Sequence, residues 1–231
     1  MPFPLAGLGL RLGASAASSA LPSASGPRGF HINVETDIRA AVKQLKRVGE
    51  RNVPLAVAQS LTATAKHLRD VQKRSIPRHI DRPTKFTVNA FGLESAKWRE
   101  YQRGTMYARV FVYPAQAKYL RYQVFGGTRA PKRRANIVPG KQTILNKYGN
   151  LTRHYIQKQL ARDDTHIATI GGTSGLWRRM KSGRLKLLVL FTGSVDYRPR
   201  YPFFDISDKI VQRELPRQLN KAVRRALKAR R

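Results

Sequence analysis

The chain has 231 residues, and its 45 lysines and arginines against 13 acidic residues give a formal net charge of +32. A compact domain with that surplus repels itself, so the charge points to a polyanionic partner rather than to any particular fold. The absence of cysteine excludes a disulfide scaffold, a thiolate zinc site and a cysteine nucleophile, while 41% hydrophobic residues are enough for a core and argue against wholesale disorder.

A chain without cysteine also fits a reducing compartment. The longest strongly apolar run, Leu185 to Phe191, is interrupted by Lys186 and falls far short of the roughly 18 residues a membrane helix needs. No membrane partner is expected.

Residues 1–30 read as an extended low-complexity arm, and 31–231 as a single α+β domain. The stretch Met1–Arg28 has no acidic residue, two arginines and many Ser, Ala, Gly and Leu. That composition has two readings: an organelle transit peptide, or a flexible arm ordered by neighbours. The arm is the preferred one.

From Val34 to about Arg74 the apolar spacing is helical. Val34, Ile38, Val42, Leu45 and Val48 recur at three- and four-residue steps. Gly49 and Pro54 then interrupt, so a second helix is expected from near Pro54, carrying Leu55, Ala58, Leu61, Ala65, Leu68 and Val71. Pro77 and Pro83 should close it. Strands follow, at Phe86–Ala90, at Met106–Tyr113, and at Tyr119–Phe125, where Gly126 and Gly127 end the run. Aromatic and β-branched residues at period two predict a half-buried antiparallel sheet or small barrel. Two further strands are expected at Thr165–Ile170 and Leu185–Phe191.

The segment at about 128–164 is polar and basic, and reads as an insertion with one short helix near Leu151 to Leu160. The last element is a long C-terminal helix with the stripe Ile206, Ile210, Leu215, Leu219, Val223 and Leu227. Asp205, Ser207 and Asp208 suit its start, by capping and by the helix dipole, and Pro216 should kink or interrupt it. Its far end is crowded with cations, Arg217 and Lys221 among them.

Catalysis needs convergent acids, bases or nucleophiles, and few are in prospect. His31, His67, His79, His154 and His166 include no pair at a metal-binding helical spacing. The run Asp163-Asp164-Thr165-His166 offers a carboxylate–histidine metal site, but a solvated turn before a strand accounts for it better. Gly126-Gly127-Thr128 and Gly171-Gly172-Thr173-Ser174-Gly175 lack the Lys-Ser or Lys-Thr of a phosphate loop and read as turns after strands. Neither catalytic residues, nor a metal, nor a cofactor are expected. In Lys118-Tyr119-Leu120-Arg121-Tyr122 the aromatics fit a strand with one wet face better than a stacking platform for bases. For the cations a polyanion contact is the better reading, with Arg129, Lys132, Arg133, Arg134, Arg178, Arg179, Lys221, Arg224, Arg225, Lys228, Arg230 and Arg231 as candidates.

Three segments carry a resemblance. Ala117–Thr128 (AKYLRYQVFGGT) resembles the aromatic strand ending in a Gly-Thr turn of bacteriophage tail-completion, or head–tail joining, proteins. Tyr201-Pro202-Phe203-Phe204 resembles the Pro-Phe-Leu element that leads into their last helix. Gly175–Pro202 is similar to the minor tail protein Z family, whose final helix also contains Leu-Pro, here Leu215-Pro216. The likeness covers residues 33–231. The arm, the basic segment and Val124-Phe125, where an acidic residue is usual, depart from the pattern.

The resemblance implies a ring-forming virion protein of the tail or neck. Its partners would be further copies of itself, other neck or tail proteins and, without sequence specificity, genomic DNA. Two alternatives stand beside it: an organellar ribosomal or other RNA-binding structural protein, suggested by the transit-like start, and a metal-dependent nuclease built on Asp163, Asp164 and His166.

Overall fold

The structure is a computed structural model and describes residues 29–34, 53–103, 106–131 and 134–228. It has the α+β class expected, with antiparallel sheets, a long helix towards the N-terminus and a long C-terminal helix. The described residues form two compact units. The first draws on residues up to His79, on Lys85–Arg121 and on the chain from Tyr201; the second comprises Ile80–Thr84 and Tyr122–Arg200.

In the first unit, β1 (His31–Val34) and β2 (Phe91–Glu94) flank β3 (Ala108–Val112), both antiparallel to it. Strand β3 is buried at every second residue, at Ala108, Val110 and Val112, as the alternating sequence predicts. Ile32 stands opposite Val110 and Val34 opposite Ala108, so one apolar face is made from two strands. That face packs on α1 (Val53–His79), which buries Ala58, Leu61, Ala65 and Leu68. Of the expected stripe, Leu55 is exposed instead. Pro77 does not close the helix, which runs two residues past it to His79. Val34, read as the start of a helix, ends β1, and residues 35–52, where the first helix was expected, lie outside the described residues.

Two expected strands are helical. Over Phe86–Ala90 the chain makes the single turn α2 (Lys85–Val88), closed by both the backbone N–H and the side-chain amide of Asn89 donating to the Lys85 carbonyl. Tyr119–Phe125 belongs to α3 (Pro114–Phe125), which buries Gln116, Ala117 and Leu120. Pro114 suits a first helical turn. Gly126, at φ 71°, then ends the helix in the left-handed region with its N–H on the Tyr122 carbonyl. Gly126-Gly127-Thr128, read as a turn after a strand, thus follows a helix, and its Gly127 and Thr128 already belong to the next strand.

The final helix α5 (Phe203–Lys228) lies along α1 in the opposite direction, with Ser60 reaching Gln218 and Gln72 reaching Phe203. It continues through Pro216 without interruption. Phe203 anchors its start, with its ring edge-on to Phe30 at 5.0 Å and stacked on Phe91 at 6.1 Å. Ser207 does not cap the helix: its hydroxyl donates to the Phe203 carbonyl and accepts from Gln72.

The second unit holds a four-stranded antiparallel sheet in the order β5 (Asn136–Pro139), β8 (Leu185–Thr192), β7 (Thr173–Arg179), β6 (Thr165–Ile170). A separate ribbon pairs β4 (Gly127–Arg129) with β9 (Val195–Tyr197). Strands β6 and β8 fall where the two further strands were expected. The turn between β6 and β7 is Gly171-Gly172, at φ 56° and 75°, the two positive values that a tight two-residue hairpin demands. Helix α4 (Tyr155–Leu160) covers one sheet face, where Leu151, Tyr155 and Ile156 pack on Leu176, Leu188 and Val189. The basic segment at 128–164 thus supplies parts of β4 and all of β5 and α4.

Candidate polyanion-contact surface

On α5 the side chains of Ile210, Val211, Leu215 and Leu219 are buried, and a run of exposed cations winds around the rest of the helix towards its end. Lys209, Arg213, Arg217, Lys221 and Arg225 succeed one another at four-residue steps with Arg224 beside them, and all six are exposed. Four-residue steps on an α-helix place side chains in one slowly winding row, about 24 Å long at 1.5 Å per residue.

The row is largely without counter-charge. Arg213 Nε and Arg217 Nη1 each donate to Glu214, at 3.2 and 3.3 Å, from one side of a nearly buried carboxylate. An arginine has five N–H donors, so both keep donors facing water. Lys209, Lys221, Arg224 and Arg225 have no side-chain partner among the described residues. Of the candidates named from sequence, Lys221, Arg224 and Arg225 fall on this row. Lys228 ends α5 but its side chain, like Arg230 and Arg231, lies outside the described residues. The row also takes in Lys209 and Arg213, which sequence reasoning missed. Their four-residue spacing to Arg217 was the available signal.

In the second unit Asp81, Asp163, Asp164 and Asp196 are the acidic residues, and most are engaged. Asp81 pairs with Arg82 at 3.0 Å, and Asp196 accepts from the Thr128 hydroxyl across β4 and β9. Asp164 is clasped by Arg162 Nε at 3.0 Å, Arg178 Nε at 2.9 Å and the Thr165 hydroxyl at 3.0 Å. Arg178 is therefore half-buried in an ion pair, whereas Arg179 is exposed and unpaired among the described residues. Arg129 sits half-buried on β4 and Arg134 is exposed before β5. Lys132 and Arg133 lie outside the described residues.

The bond from Arg162 holds the Asp164 carboxyl well below the usual carboxylate range, aided by Arg178 and Thr165 and opposed by partial desolvation. A carboxyl lowered on folding stabilises the fold fully above its unfolded pKa of about 3.9. That contribution fades as pH falls below it, towards the depressed folded value. Asp164→Asn is accordingly expected to destabilise the protein at pH 6 and to flatten the loss of stability below about pH 4. Denaturant unfolding followed at both pH values measures it, and an equally steep acid limb in the variant would refute the assignment.

Among the described residues no group of three or more His, Asp or Glu side chains is placed to hold a metal ion, the run Asp163 to His166 included. Nor does any described helix have the length and apolarity to cross a membrane. Tyr119 and Tyr122, read as strand residues, lie on α3; the Tyr119 hydroxyl bonds Thr87 at 3.0 Å and the Tyr122 ring meets Tyr197 at 5.4 Å. The chain matches no protein-family model, no curated protein and no solved structure.

Proposed function

We propose that the chain is a structural protein of a bacteriophage tail or neck, of the minor tail protein Z or tail-completion kind. It works as an oligomeric ring whose basic surfaces meet DNA or acidic neighbours. The observation that carries this reading is the row from Lys209 to Arg225, a long line of cations of which, among the described residues, only Arg213 and Arg217 pair with a carboxylate, that of Glu214. Phosphate contacts position a protein on nucleic acid without reading its sequence, which suits a conduit past which a genome of any sequence moves.

The segment Tyr201-Pro202-Phe203-Phe204 supports the likeness, since it leads directly into a long basic helix containing Leu215-Pro216. Ala117–Thr128 supports it less, because its aromatic part is helix α3 rather than a strand. Like charges at four-residue steps weaken a helix, so a row of them is a cost to folding that a polyanionic partner offsets.

Assembly tests the proposal. Full-length protein, freed of nucleic acid and examined by electron microscopy and native mass spectrometry, is expected to form closed rings that bind unrelated duplexes equally well. A monomer at every concentration that binds no duplex would overturn it.

A further inference from the structure

Strands β7 and β8 pair Arg178 with Lys186 and Arg179 with Leu185 before the chain turns back over residues 180–183. The turn is tightly closed. Met180 N–H donates to the Arg184 carbonyl and Gly183 N–H to the Met180 carbonyl, each at 2.8 Å. Around it Arg179, Lys181 and Arg184 are exposed and Lys186 half-buried, and none has a side-chain partner among the described residues. Among these cations two large apolar side chains stand exposed, Leu185 at 46% on the face it shares with its partner Arg179, and Met180 at 39% on the other. Arg178 differs from its neighbours because Asp164 holds it.

We propose that this hairpin tip is a second nucleic-acid contact, a basic ribbon that seats its apolar crest in a groove of duplex DNA of any sequence. The inference rests on the polyanion reading above but on a different unit of the chain. A two-stranded ribbon fits the major groove, about 12 Å wide. Cations of both strands reach the phosphates that border a groove, while Met180 on one face of the tip and Leu185 on the other pack against its walls. The closed turn fixes the backbone beforehand, so little conformational entropy is lost on docking. An anionic membrane surface would also attract a basic, apolar tip. Interfacial anchors, however, are characteristically Trp and Tyr, and this crest has neither.

The test uses the full chain and a duplex of random sequence, with binding measured across a range of salt concentrations. Arg179→Ala, Lys181→Ala, Arg184→Ala and Lys186→Ala combined are expected to reduce the log–log salt slope by about 3 to 4, at about 0.9 per phosphate contact. Met180→Ser with Leu185→Ser should leave the slope unchanged and weaken binding roughly tenfold, since only apolar contact is lost. In a Trp98→Phe background Trp177, one pair before Arg178 and Lys186 on the hairpin, reports on fold and contact by its fluorescence. A wild-type slope in the tip variant overturns the inference. So does a tip variant that loses binding to anionic lipid vesicles while keeping it to duplex. If alanine substitutions along α5 also leave the slope intact, the polyanion reading itself fails; if they lower it, only the hairpin inference does.

Discussion

Alanine at Lys209, Lys221, Arg224 and Arg225 together is expected to lower the salt slope of duplex binding by about 3 to 4 and to weaken binding alike for every sequence. These four are chosen because no carboxylate holds them. Arg213 and Arg217 are left in place, since removing them would leave Glu214, which is only 8% exposed, with His67 alone at 4.0 Å. The same variant is expected to melt no lower than the parent. Each like-charge pair along the row costs about 0.2–0.5 kcal/mol in a helix, and alanine is the best helix former. Loss of binding with retained or raised thermal stability marks the row as a contact surface. A fall in melting temperature with an unchanged slope would make it a structural feature and remove the basis of the proposed function.

The second large effect concerns the seam between α1 and α5. Gln72, fully buried, donates from Nε2 to the Phe203 carbonyl at 2.9 Å and to the Ser207 hydroxyl at 2.8 Å, and its Oε1 accepts from the Tyr201 hydroxyl. Ser75 adds a bond to the Tyr201 oxygen at 3.2 Å. Burial pushes the Tyr201 phenol up, so it stays a neutral donor across the physiological range. Gln72→Leu removes these bonds and leaves that hydroxyl short of an acceptor, at an expected cost of about 2–4 kcal/mol.

Tyr201→Phe in the same chain should recover part of this loss, because replacing both partners of a buried hydrogen bond costs less than orphaning one. A thermal-unfolding double-mutant cycle measures the coupling. Simple additivity of the two substitutions would show that the network does not act as a unit. Its position also explains why a segment lying just before α5 matters. Tyr201 and Phe203 fix where the helix starts along α1, and that start sets which of its residues reach water.

Local pattern was a sound guide where the periodic run was long. The α1 positions from Ala58 to Leu68, the alternation of β3 and the α5 stripe from Ile210 to Leu219 each extend far enough for one period to exclude the other, while the side chains of Val223 and Leu227 lie outside the described residues. It failed where the run was short. Five residues at Phe86–Ala90 and seven at Tyr119–Phe125 alternate as a strand would. Yet the buried set Gln116, Ala117 and Leu120 has helical spacing and begins before the window that looked like a strand. Pro216, a reason to expect a break, was overridden by the burial of Val211, Leu215 and Leu219 on both sides of it.

The candidate surface was legible only in outline. Composition showed the excess of cations, and those towards the end of α5 were visible as a cluster. Which arginines are available was not, because charge pairing is settled across the fold. Arg178 is bound by Asp164, fourteen residues away in sequence, and no local pattern records that meeting.

The sequence by itself determined the α+β class, the main amphipathic helices and the excess of positive charge, since these depend on composition and on period within single elements. Only the tertiary structure decided the pairing of β5 with β8, the helical state of Tyr119–Phe125 and the division of the arginines into bound and available. The reason is physical: strand partners, buried faces and counter-ions are supplied by chain remote in sequence, and their free energies outweigh the weak preferences of short segments.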